Sequence, residues 1–148
     1  IEDLEKSSSI FTLIKNFNAD VGCEISERLT GLYKEAKISY KDTAKNKQIE
    51  HTETAKDIKS GDSLKIDDRV ENKAEAIKLC KAKLHEKNKH RVTANFSMVG
   101  NPLFVAGINV NLVGYGKRSG KFHITMSRHS IDRSGGYITE WEGYRVFD

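Results

Sequence analysis

Residues 72–98 read NKAEAIKLCKAKLHEKNKHRVTANFSM. The segment begins with a capping box, because Asn72 can accept a hydrogen bond from a free backbone N–H and Glu75 can reach back to the helix start. Neither Gly nor Pro occurs from there to about Asn88, so a helix is predicted over residues 72–88. The apolar positions of one helical face are Ile77, Cys80 and Leu84.

The hydrophobic period changes from about 3.6 to 2 after this helix. Apolar and polar residues alternate over 92–98, and again over 105–113, 121–129 and 137–146, with glycine-containing turns between the segments. We therefore expect four strands in an antiparallel meander. The strand positions expected to pack against the helix are Phe96, Ile108, Val110, Phe122 and Ile124.

Three shorter strands are predicted before the helix. Alternating apolar residues at 36–40 indicate the first, residues 48–54 the second and residues 63–66 the third, with a polar hairpin loop at 42–47. Together with the later four they could close a small barrel. The expected fold class is α+β and mainly β: a small antiparallel β-barrel with one packed α-helix.

The first thirty residues are less regular. Residues 10–14 could form a strand, and the chain starts with Ile1 and an acidic stretch rather than a basic and apolar leader. We expect residues 1–30 to be the remnant of a preceding region or an N-terminal extension, and residues 31–148 to be the barrel domain. The chain is expected to be a fragment of a longer protein made in the cytoplasm.

Composition and charge exclude several classes of protein. The 148 residues are 37% hydrophobic and 31% charged, which is typical of a globular chain rather than a disordered one. No apolar run approaches the roughly 20 residues of a membrane-spanning helix, so no membrane partner is predicted. The net charge of +4 is mild, and basic and acidic residues alternate almost everywhere, which argues against nucleic acid as a partner.

The most basic stretch, residues 78–91, lies on the predicted helix. A solvated helix face explains it, and a docking surface for an acidic partner or a nucleic-acid-contacting module is the alternative.

No catalytic residue, cofactor or metal is predicted. Cys23 and Cys80 lack zinc-site spacing and are either two reduced thiols or one disulfide. Residues 128–132 carry the residue types of a hydrolase triad, but neighbours on one strand point to opposite faces. A hydrolase acting through His129 and Glu140, as in a cell-wall hydrolase-associated domain, is the weakest alternative. The glycine-rich segment 114–120 leads into a strand and is predicted to be a turn.

Residues 65–147 resemble the C-terminal part of the phage late control protein D family, whose relatives include the hub part of type VI secretion spike proteins. The similarity is an ordered series of segments rather than one motif, and the segments are IDDRV at 66–70, the capped helix at 72–87, VTANFSMVGNPL at 92–103, AGINVNLVGYG at 106–116, SGKFHI at 119–124, SRHS at 127–130 and GYITE at 136–140. The resemblance implies a tail-tube-like barrel in the baseplate hub of a contractile phage tail or prophage-derived injection machine. It further implies a homotrimeric ring in the intact protein, joining the tail tube to the spike by protein–protein contacts, with no catalysis in this region.

The assembly expected from this resemblance places particular strands at the subunit contacts. Segments 105–113 and 121–129 carry few charges, which suits contact with neighbouring subunits better than contact with water. We expect assembly in the cytoplasm, a final location in the virion or particle tail, and a monomeric state for this excised fragment.

Overall fold

The computed structural model describes residues 2–16, 22–42 and 46–147, and the chain divides into two compact units. The first unit comprises Ile1–Glu27 and His90–Asp148, and the second comprises Arg28–Lys89. The predicted division at residue 30 differs from this one, because strands before residue 28 belong to the sheet of the first unit. The described residues are mainly β with one long helix, so the predicted α+β class is confirmed.

Two α-helices, two short 3₁₀ helices and nine strands are present in the described residues. The bounds of the α-helices and strands are α1 Glu2–Lys6, β1 Phe11–Ile14, β2 Gly22–Glu27, β3 Tyr33–Asp42, β4 Lys47–Thr54, β5 Asp62–Ile66, α2 Lys73–Asn88, β6 Val92–Val99, β7 Asn109–Val113, β8 Gly120–Asp132 and β9 Gly136–Arg145. No described helix is both long enough and apolar enough to cross a membrane.

The second unit is a three-stranded sheet covered by α2. Its strand order is β4-β3-β5, with β3 and β4 antiparallel and β5 parallel to β3. The β3–β4 hairpin, the third strand and the helix were all predicted. The helix starts as expected, since Asn72 Oδ1 accepts from the backbone N–H of Glu75 at 2.9 Å and Glu75 Oε2 accepts from that of Glu71 at 2.7 Å.

The helix packs against a different set of residues from the one predicted. Cys80 and Leu84 are buried and Ile77 is half-buried. The core that contains Cys80 and Leu84 is completed by Ala36, Ile38, Ile49, Ile66, Val70 and Ala76. The expected packing of α2 on the later strands is therefore wrong. The short sheet next to the helix in sequence already offers an apolar face, at alternate positions of β3 and β5.

The first unit is a six-stranded sheet in the order β1-β7-β8-β9-β6-β2. The predicted meander is wrong in one connection, because β6 pairs with β9 rather than with β7. Residues 100–108 form a long crossing loop instead of extending β7. The loop is fixed where Gly100 N donates to Tyr137 O at 2.8 Å and Gly107 N donates to Ile124 O at 2.8 Å.

The six-stranded sheet curves around its own core. Three strand spacings separate β7 from β6, about 14 Å in a flat sheet, yet the ring of Tyr115, just after β7, meets that of Phe96 on β6 at 5.8 Å between centroids. Among the predicted core positions, Phe96, Val110, Phe122 and Ile124 are buried in this cluster and Ile108 packs on it half-buried. In the described residues β1 and β2 remain the outer strands of the sheet, so barrel closure is not confirmed.

Candidate interaction surfaces

Metal or thiol chemistry in the described part of the chain would require metal-binding groups, or cysteines that form a disulfide or act as nucleophiles. No group of three His, Cys, Asp or Glu side chains there could hold a metal ion. Cys23 is exposed on β2 and Cys80 is buried in α2, and no disulfide joins them. Burial, with a smaller contribution from Glu53, raises the pKa of the Cys80 thiol, which makes it a poor nucleophile.

His129 is the centre of a polar network on the core-facing side of the first sheet. Its Nε2 lies 3.0 Å from the Phe104 carbonyl oxygen and 3.2 Å from Ser127 Oγ. Its Nδ1 lies 3.0 Å from both Tyr137 Oη and Thr139 Oγ1. The network thus joins the β8–β9 hairpin to the crossing loop at Phe104.

The proton positions in this network exclude a serine–histidine dyad. A carbonyl oxygen only accepts, so His129 Nε2 carries the proton that is donated to Phe104 O. The Ser127 hydroxyl donates to the same carbonyl at 2.5 Å. His129 therefore offers Ser127 no lone pair to take its proton, and the pair is structural.

The hydrolase alternative also fails on sheet geometry. His129 lies opposite Thr139 in the β8–β9 ladder, whereas Glu140 lies opposite Arg128. Neighbouring positions in a ladder face opposite sides of the sheet, so His129 and Glu140 share no cleft. Glu140 instead lines an open groove of about 420 Å³ on the other face, next to Arg128 and Glu142.

A buried polar cluster lies beneath α1 on that other face, at the opposite end of β9. Asn109 is fully buried, and its side-chain amide donates towards Leu4 O at 2.8 Å and Ser7 O at 2.9 Å. The Tyr144 hydroxyl donates to the buried Glu5 carboxylate. Burial first, and then Glu5, raises the pKa of Tyr144 above its ordinary value. The sequence alternation placed Asn109 away from the core, and no signal in it showed that α1 would cover this position.

The edges of the first sheet differ from the expected contact strands. We expected subunit contacts along 105–113 and 121–129, but β7 lies between β1 and β8, and β8 lies between β7 and β9. Over residues 110–112 β7 is paired on both sides, whereas β8 pairs with β7 only through residues 120–123, and its residues 126–132 have β9 as their one strand neighbour in the described residues. Among the described strands of this sheet, the edges are β1 and β2, both from the first thirty residues.

One end of the first sheet exposes large apolar side chains. They lie at the end of β6, in the crossing loop and near the end of β8, and they are Val99, Leu103, Val105 and Ile131. The loop that carries two of them is held by the His129 network. An ordered loop with exposed apolar side chains is typical of a protein–protein contact surface.

The outward face of α2 carries charges of both signs. Lys78 and Lys81 are exposed there, and so are Glu75 and Glu86. Lys83 forms an ion pair with Asp68. The basic stretch at 78–91 is therefore spread around the helix, which favours the solvated-face interpretation over a nucleic-acid site.

Comparison with known proteins relates the chain to tail proteins by fold. No protein-family model and no curated protein matches it. The tail protein from Neisseria meningitidis MC58 superposes with a TM-score of 0.69 at 14% identity, covering 94% of this chain and 45% of that one. The 43 kDa tail protein of prophage MuSo2 from Shewanella oneidensis gives 0.75 at 16% identity, covering 95% and 45%.

The chain shares the fold of these tail proteins. A chain of the virion of a native gene transfer agent particle is also similar, with a TM-score of 0.57 at 15% identity, covering 95% of this chain and 32% of that one. This chain thus spans less than half the length of each of these three structures.

Proposed function

We propose that the chain is a structural domain of a contractile phage tail or a prophage-derived injection machine, in the baseplate hub that links the tail tube to the spike. The observation that carries this proposal is the two-unit fold shared with tail proteins over 94–95% of the chain. The role is mechanical, by protein–protein contact, without catalysis or a cofactor. The particle tail is then its final location, reached after assembly in the cytoplasm.

The proposed assembly of the intact protein is a homotrimeric ring. The first sheet supports it, because β1 and β2 are its outer strands in the described residues. Such edges pair readily with another chain. In such a ring, β1 of one copy would lie beside β2 of the next copy. This is a head-to-tail contact, and its repetition can close a ring.

The exposed apolar end of the sheet supports a second contact, with the tube or the spike. Leu103 and Val105 are presented by a loop that hydrogen bonds hold on both sides, through Gly100 and Phe104. A pre-ordered apolar surface costs less conformational entropy on binding than a mobile loop does.

Localisation in the intact particle tests the proposal. Crosslinking or electron microscopy of assembled particles should find the chain at the junction of tube and spike. A chain found free in the cytoplasm of cells that assemble complete tails would contradict the proposal.

A further inference from the structure

Six cations that are dispersed in the sequence converge at one end of the first unit. We name this cluster the basic rim, and its members are Lys15, Arg91, Lys117, Arg118, Lys121 and Arg145. Lys15 follows β1, Arg91 precedes β6, and Lys117 and Arg118 lie between β7 and β8. Lys121 lies at the start of β8 and Arg145 at the end of β9. The strand pairing brings these strand ends together. The sequence shows only interleaved charges, because residues from 15 to 145 contribute.

Contacts within the rim fix several of its cations. The Arg145 guanidinium donates to the Lys117 carbonyl at 2.7 Å and lies 4.9 Å from the centroid of the Phe147 ring. Arg91 approaches the same ring at 5.2 Å. Lys15 Nζ lies 5.8 Å from the centroid of the Tyr115 ring. The two guanidiniums share one aromatic ring and are therefore pre-positioned.

The glycine-rich turn presents two exposed cations. Gly114 and Gly116 have φ of 90° and 60°, conformations that other residues adopt at a cost. They fold the connection tightly into a single 3₁₀ turn, Gly116–Arg118, closed by Ser119 N donating to Gly116 O at 3.0 Å. Lys117 and Arg118 are exposed on this turn.

The rim carries an excess of positive charge. Glu27 pairs with Arg91 at 3.2 Å. Within residues 2–16, 22–42 and 46–147, no ion pair joins the other five rim cations to a carboxylate. Within the part of the chain that the structure describes, the rim has six cations and one carboxylate paired with them, in contrast to the mixed charges on α2. A ligand of uniform negative charge would complement them.

We propose that the basic rim binds the phosphodiester backbone of nucleic acid without sequence preference. Its aromatic rings are engaged, Tyr115 against Phe96 and Phe147 between two guanidiniums, so no ring is offered for stacking on bases. Contact through charge alone reads the backbone and not the sequence. An acidic protein surface usually mixes both signs of charge, so the single-sign rim fits a phosphate chain better. This inference is independent of the hub role.

The test uses a short labelled DNA duplex of mixed sequence and the whole chain, with fluorescence anisotropy measured over a range of salt concentrations. The rim variant combines Lys117→Ala, Arg118→Ala and Lys121→Ala. Its matched control combines Lys73→Ala, Lys78→Ala and Lys81→Ala on exposed positions of α2, with the same loss of charge. Circular dichroism melting checks that both variants fold.

The rim variant should lose about tenfold or more in affinity at low salt, and its slope of log affinity against log salt should shrink by about 2 to 3, since each lost phosphate contact removes about 0.9. The control should bind as the unchanged chain does. The proposal is overturned if the unchanged chain fails to bind the duplex at low salt, or if both variants weaken equally. It is also overturned if polyglutamate binds as tightly as DNA and competes with it, which would assign the rim to an acidic protein.

Discussion

His123 Nδ1 donates a hydrogen bond to Asn109 Oδ1 at 2.8 Å, inside a sheet face that α1 covers. The acceptor role of Oδ1 follows from the amide nitrogen of Asn109, which is already committed to carbonyl oxygens of the first seven residues. One buried amide thus ties β8 to α1 through β7. The first residues of the chain are an integral part of the first unit for this reason.

Replacement of Asn109 should therefore loosen α1. Asn109→Ala removes the hydrogen bonds to His123, Leu4 and Ser7 and leaves buried partners unsatisfied. The free energy of unfolding should therefore fall by about 1–3 kcal/mol. Urea denaturation followed by circular dichroism measures it. Asn111→Ala, on the same strand and only half-buried, should change it by less than about 0.5 kcal/mol. Equal effects at the two positions would contradict the proposed anchor.

Tyr144 should make the stability depend on alkaline pH. Its pKa is raised in the folded chain, first by burial and then by Glu5, so the stability it confers is complete below its unfolded pKa of about 10. Above that pH the unfolded chain loses a proton that the folded chain keeps. The free energy of unfolding should then fall by about 1.4 kcal/mol per pH unit from this one group.

The comparison variant is Tyr144→Phe, measured by urea denaturation between pH 8 and pH 11, a range that brackets a tyrosine pKa of about 10. Tyr144→Phe should remove the contribution of this one proton to the fall in the free energy of unfolding with pH. Tyr40→Phe, in the second unit, is the control substitution. The same slope in wild type and Tyr144→Phe would show that Tyr144 ionises alike in both states.

Leu84 should report on the core of the second unit. It is buried against the three-stranded sheet, so Leu84→Ala should cost about 2–5 kcal/mol in the free energy of unfolding. Lys81→Ala, exposed on the same helix, should cost less than about 0.5 kcal/mol. A cost at Leu84 as small as that at Lys81 would mean that this helix face is not buried.

Gly100 should tolerate no side chain. A Cβ there would lie 2.1 Å from the Tyr137 ring, and moving that ring would break its hydroxyl contact with His129 at 3.0 Å. Gly100→Ala should cost about 1–3 kcal/mol by overpacking, measured by thermal unfolding. At Gly22 a Cβ would meet Ser97 at an ordinary 3.8 Å, so Gly22→Ala should be nearly neutral. A neutral Gly100→Ala would show that the crossing loop is held more loosely.

Local features of the fold could be predicted from the sequence, and non-local ones could not. The Asn72–Glu75 cap and the β3–β4 hairpin are encoded within a few residues, so the pattern was sufficient. Alternation in residues 92–98 gives the face that each side chain occupies but not the neighbouring strand, which is why β9 beside β6 was missed. Strand β2 was missed because it lies at an edge, where five of its six residues are exposed and no apolar alternation is required.

The candidate surfaces show the same limit. The basic rim assembles from five separate strand ends, and no window of sequence contains it. Asn109 is buried because α1 folds over it, a contact between residues about a hundred positions apart. Sequence reasoning identified Cys80 and Leu84 as core residues from helical spacing, but it could not select the sheet on which they pack.

The proposed ring within a tail requires three copies of the intact protein to associate. Light scattering on the full-length protein at high micromolar concentration measures this association. The mass of three chains is expected. A single species with the mass of one chain would contradict it.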